Sequence, residues 1–180
     1  MVRVSRKQIH AHLQQGDTAA TKNEKGKALE GLICYLFETI PGITLKECNS
    51  MNTFESEEID IVFWNDYDPQ GLPSPAFPYV IFVECKNWSK KVSSSEVSWF
   101  DKKLQDRALT FGVLVAAHGI TGEPEDLTRA HYIVSTALRE RRRIIVITRE
   151  DIENITDSIQ LVKLFKKKLC ELIVHQTCLS

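Results

Sequence analysis

The chain has 180 residues, 43% of them hydrophobic and 26% charged, with a net charge of −1. That length supports one well-buried core, and so balanced a charge does not by itself advertise nucleic-acid binding, though clustered basic residues leave a local patch open. Five cysteines, odd in number and without C-x-x-C spacing, point away from a disulfide framework or zinc site and read as small core hydrophobes in a reducing cytoplasm.

Residues 1–20 are polar, with only Ile9 and Leu13 at periodic apolar positions, and predict an N-terminal arm or short helix. The start, Met1-Val2-Arg3-Val4-Ser5-Arg6-Lys7, has no apolar signal region. No run approaches the roughly 18 apolar residues that a membrane span needs. Residues 21–180 are expected to form a single domain.

From Thr21 to Ile40 the positions Leu29, Leu32, Ile33, Leu36, Phe37 and Ile40 follow helical spacing, and Pro41-Gly42 ends the helix. Glu30 falls roughly 90° from the centre of that stripe, at the border of the buried face. Lys22, Lys25 and Lys27 crowd the helix start against its dipole, a placement that suits a nearby phosphate. A short strand is expected over Ile43–Cys48 and another over Glu58–Trp64, where Asp60 shares a face with Val62 and Trp64. A carboxylate on an apolar strand face is costly unless it is paired or binds a metal. The turn-rich stretch from Asn65 to Pro78 predicts an elongated hairpin connection.

The stretch Tyr79-Val80-Ile81-Phe82-Val83-Glu84-Cys85-Lys86 begins as a buried strand and ends in an acid and a base. Alternation puts Glu84 and Lys86 on one face, with Cβ atoms about 6–7 Å apart, and Cys85 on the other. Beyond it, Asn87, Lys90 and Lys91 are candidates for contacts with a nucleic-acid backbone. Ser93 and Glu96 have capping-box spacing ahead of a helix. Phe111–Ala117 reads as a strand covered on both faces. A helix is expected from about Pro124, then a strand over Ile144–Thr148, with Thr148 and Asp151 as a further cap. A terminal helix follows from about Asp157 to His175, with Val162, Phe165, Leu169, Leu172 and Ile173 inward. Lys166-Lys167-Lys168 reads as its wet face, and the run Arg139–Arg143 as a complement to a helix C-terminus. The order fits antiparallel hairpins first and a parallel crossover later.

Hydrolysis of a phosphodiester requires an activated water, neutralised phosphate oxygens and a stabilised leaving group. A hard cation such as Mg²⁺, held by one or two carboxylates, supplies these. Asp60 and Glu84 on neighbouring strands are suited to hold it, with the Cys85 backbone carbonyl as a third ligand. Lys86 would orient the water or help deprotonate it. Glu30 would hold a water on the metal or bind a second ion.

The set Glu30, Asp60 and Glu84-x-Lys86 resembles the PD-(D/E)XK nuclease superfamily, in particular the Mrr-like restriction endonucleases, over about residues 22 to 148. Archaeal Holliday-junction resolvases share the same skeleton. The resemblance implies a restriction-endonuclease-like three-layer α/β/α fold with a mixed central sheet. It also implies a Mg²⁺-dependent endonuclease, with Mn²⁺ as substitute, acting on DNA in restriction or defence. Asp60 and Glu84 are then metal ligands, Lys86 the catalytic lysine and Glu30 the helix carboxylate. Two departures are visible. Many Mrr-like proteins carry glutamine at the position of Glu84, and Ile59 stands where the superfamily's proline would precede Asp60. Cutting both strands of a duplex predicts a homodimer. The alternatives are a non-catalytic nucleic-acid-binding protein on the same fold, or a nuclease for branched DNA or RNA. The candidates for nucleic-acid contact, Lys27, Asn87, Lys90 and Lys91, serve either reading.

Overall fold

The computed structural model describes residues 2–51, 58–86, 90–123, 125 and 128–178, without the side chains of Ser50 and Glu58. The chain runs α1 (Arg6–Thr18), α2 (Lys22–Phe37), β1 (Ile43–Met51), β2 (Glu58–Asn65), β3 (Val80–Lys86), α3 (Ser94–Asp106), β4 (Phe111–Ala116), α4 (Ala130–Arg139), β5 (Arg143–Ile147), α5 (Arg149–Glu153) and α6 (Ser158–His175). The sheet has the order β1-β2-β3-β4-β5. Its first three strands pair antiparallel and its last three parallel, as the short and long connections require. The fold is therefore the expected mixed sheet flanked by helices.

Side-chain alternation divides the core in two. On one face, Phe37 of α2 stacks on Phe63 of β2 at 4.5 Å and meets Phe165 of α6 edge-on at 5.1 Å. On the other face α3 lies against β4. A Cβ added at Gly112 would sit 2.7 Å from Phe100 and 2.8 Å from Leu104, so the helix rests directly on the strand backbone there. Since Gly112 pairs with Phe82, the face of β3 that carries Phe82, Glu84 and Lys86 is the α3 side.

Helix starts follow local chemistry. Thr21 with Glu24, Ser93 with Glu96, and Thr148 with Asp151 each close a capping box. Glu24 in the first turn of α2 offsets the lysines that crowd it, so the helix start does not require a phosphate to explain it. The N-terminal segment forms α1, capped by Ser5, with Ile9 and Leu13 in the core. The connection from β2 to β3 is pinned by buried Asn65, whose amide donates to the carbonyls of Leu72 (3.0 Å) and Pro78 (3.2 Å).

Three expectations are corrected. The helix expected from about Pro124, itself outside the described residues, begins at Ala130. Arg129 takes a left-handed φ of 52°, and the Ala130 N–H is claimed by the Thr121 carbonyl. Ile173 is exposed, because the inward face at that end of α6 is completed by Leu172. Lys168 is buried and pairs with Asp151 at 2.8 Å, so only Lys166 and Lys167 stay on the wet face. In the run Arg139–Arg143, Arg142 grips Asp101 through two bonds of 2.7 and 3.0 Å, and Arg143 donates to the Ala76 carbonyl. Among the described residues no helix is long and apolar enough to cross a membrane.

Candidate active site

The antiparallel ladder of β2 and β3 runs from Trp64↔Val80 to Ile61↔Val83. One step further in the same register sets Asp60 across from Glu84, with both side chains on the α3 face. The backbone N–H of Cys85 donates to Asp60 Oδ2 at 2.7 Å and ties the first carboxylate to the strand that carries the second. Glu84 is buried, 4% exposed, and both of its oxygens are engaged. Lys86 Nζ lies 2.9 Å from Oε1, and Lys103 Nζ lies 2.8 Å from Oε2.

Burial and the facing Glu84 together push the Asp60 carboxyl up to about 6, against the Cys85 hydrogen bond and the two lysines, which act the other way. For Lys86, burial works to lower the pKa, but its contact with Glu84 and the nearby Asp60 prevail and raise it. Lys86 is therefore an ammonium at neutral pH. It is suited to neutralise negative charge rather than to accept a proton.

Among the described contacts Glu30 forms no hydrogen bond or ion pair with Asp60, Glu84 or Lys86. The described contacts place its carboxylate on Asn49 of β1, which donates at 2.7 Å and has a left-handed φ of 52°. Glu30 and Asp60 both act electrostatically on Cys85 and on Cys48, so Glu30 lies at the same end of the sheet as the acidic pair. Lys27, Lys90 and Lys91 are exposed around this end. Asn87 lies outside the described residues.

Lys103 was not foreseen from sequence. It follows Phe100 by three positions and precedes Leu104, so it falls within the buried stripe of α3. A lysine inside such a stripe is the signal that would have found it, since a buried ammonium needs a partner.

The donors at this point are hard carboxylate oxygens. Two of them are close enough to disfavour each other's charge, a conflict that a hard cation would relieve. Among the described residues no three His, Cys, Asp or Glu side chains form a ready ion cage. A cation here would complete its shell with carbonyl, water or phosphate oxygens, as Mg²⁺ commonly does.

The family model for restriction endonucleases, the Mrr catalytic domain, matches residues 21–155. The chain belongs to the Mrr-type restriction endonuclease family. No curated protein matches the chain at a significant level. The Mrr-type match runs from the cap of α2 to the end of α5 and contains Glu30, Asp60, Glu84, Lys86 and Lys103. It makes the chain a nuclease of the restriction-endonuclease type, a class that generally uses divalent metals and for which DNA is the implied substrate.

Proposed function

We propose that this chain is a divalent-metal-dependent endonuclease that hydrolyses DNA phosphodiester bonds at Asp60, Glu84 and Lys86, in a restriction or defence setting. The observation that supports this most is the apposition of Asp60 and Glu84 on adjacent strands, with Lys86 bound to the second. Asp60, Glu84 and the Cys85 carbonyl would hold Mg²⁺ or Mn²⁺. The ion, when bound, acidifies water and neutralises phosphate oxygens.

The protein's own contribution is positional. The Cys85 N–H fixes the Asp60 carboxylate. The Lys86 ammonium lies where it can orient the attacking water and share the charge that builds on the phosphate. Glu30, which accepts from Asn49, would be the helix carboxylate that holds a water on the ion or binds a second one. Lys27, Asn87, Lys90 and Lys91 would meet backbone phosphates around the site. Two copies would be needed to cut both strands, so the working form is a homodimer.

Incubation with supercoiled plasmid tests the reading. Cleavage in Mg²⁺ or Mn²⁺ is expected, with none in EDTA and none by a folded Lys86→Ala protein. Cleavage that persists in EDTA would overturn it.

A further inference from the structure

Glu84 is fully committed before any ion arrives. Lys86 takes one oxygen at 2.9 Å and Lys103 the other at 2.8 Å, and Asp60 Oδ2 already accepts from the Cys85 N–H. Lys86 is about a quarter exposed at its side chain, whereas Lys103 is almost wholly buried. Lys86 can therefore swing toward solvent or a phosphate, while Lys103 is held in place by α3. A third carboxylate, Glu96, lies within electrostatic reach of Lys86, but it closes the capping box with Ser93.

We propose that Lys103 is a resident counter-ion of Glu84, a positioning residue that keeps the carboxylate pair from taking a divalent cation until DNA is present. The inference rests on the nuclease reading and deepens it. Two ammonium groups on one carboxylate repel an approaching dication and compete with it for the carboxylate oxygens. A DNA phosphate brought to the rim supplies a new acceptor for Lys86, whose swing away from Glu84 leaves Lys103 as the only ammonium on that carboxylate, and new oxygen ligands for the ion. Cation and DNA then bind as a coupled pair, each tightening the other by the same factor.

Calorimetric titration of Ca²⁺, with and without a short DNA duplex, tests this. Wild type is expected to bind Ca²⁺ weakly alone and at least about tenfold more tightly with DNA. Lys103→Met is expected to bind Ca²⁺ at least about tenfold more tightly than wild type in the absence of DNA, and to gain little more when DNA is added. Lys103→Arg, which keeps the charge, should behave as wild type. Lys103→Gln serves if the methionine protein fails to fold, as judged by its melting transition. Equal Ca²⁺ affinity of wild type and the uncharged variant without DNA would overturn the proposal while leaving the nuclease reading intact. No ion binding by any variant with DNA, and no cleavage in any ion, would overturn both.

Discussion

Two buried lysines in this molecule make the same bond and do different things. Lys168 of α6 meets Asp151 at 2.8 Å, and Lys103 of α3 meets Glu84 at 2.8 Å. Asp151 also accepts from the Thr148 N–H and hydroxyl at 2.8 and 3.0 Å, so this carboxylate closes a cap and a helix contact together. Glu84 has a second lysine on its other oxygen and a second carboxylate, Asp60, facing it. The first cluster is a pair with helix-cap donors around it. The second brings like charges together in a buried place, which folding alone would not favour. The presence of an apposed like charge, rather than burial of an ion pair, separates the candidate active site from the structural pair.

Breaking each cluster should expose that difference. Replacement of Lys86 by Ala is expected to lower plasmid cleavage by about 10²–10³-fold or more, with little change in melting temperature, because the lost interaction belongs to the reaction. Replacement of Lys168 by Met should do the reverse. It leaves the half-buried Asp151 without its cation and should cost roughly 1–3 kcal/mol in urea unfolding, with cleavage per folded molecule unchanged.

Asp60→Asn sharpens the contrast further. The folded-state pKa of Asp60, raised to about 6, means that the native protein holds this proton more tightly than the unfolded chain does. Its contribution to stability is present at low pH, is lost as pH rises from about 4 to about 6, and stays lost above that. Asparagine still accepts from the Cys85 N–H but carries no charge. The variant should therefore be more stable than wild type at pH 8 by about 1–3 kcal/mol without added metal, and equal to it near pH 4. Denaturant titrations at the two pH values measure this, and a constant difference would count against like-charge repulsion at Asp60. The smallest effect is expected for Glu30→Gln, which can still accept from Asn49. Cleavage should fall by less than about tenfold, and stability should change by about 0.5 kcal/mol or less.

Strand alternation was enough to bring Asp60, Glu84 and Lys86 to one place. The two-residue period put Glu84 and Lys86 on one face, and the same rule applied to β2 aligned Asp60 with them. It could not settle Glu30, because helical angle gives a direction from the axis and not the partner, and Asn49 lies in a backbone conformation that no local pattern announced. Lys103 and Lys168 were hidden for a related reason. Lysines beside apolar stripes usually reach solvent along their stems, and only the packed helix positions decide that these two do not. The late start of α4 was equally hidden, since a proline at a first-turn position is permissive for a helix but does not start one when the backbone hydrogen bonds are claimed elsewhere.

The joint hold of Asp60 and Glu84 on one cation is tested most directly by Ca²⁺ binding to the DNA complexes of wild type, Asp60→Asn and Glu84→Gln. Each single substitution is predicted to remove the saturable ion seen with wild type. Retention of wild-type affinity by either variant would mean that its carboxylate does not share the ion, and would contradict the assignment.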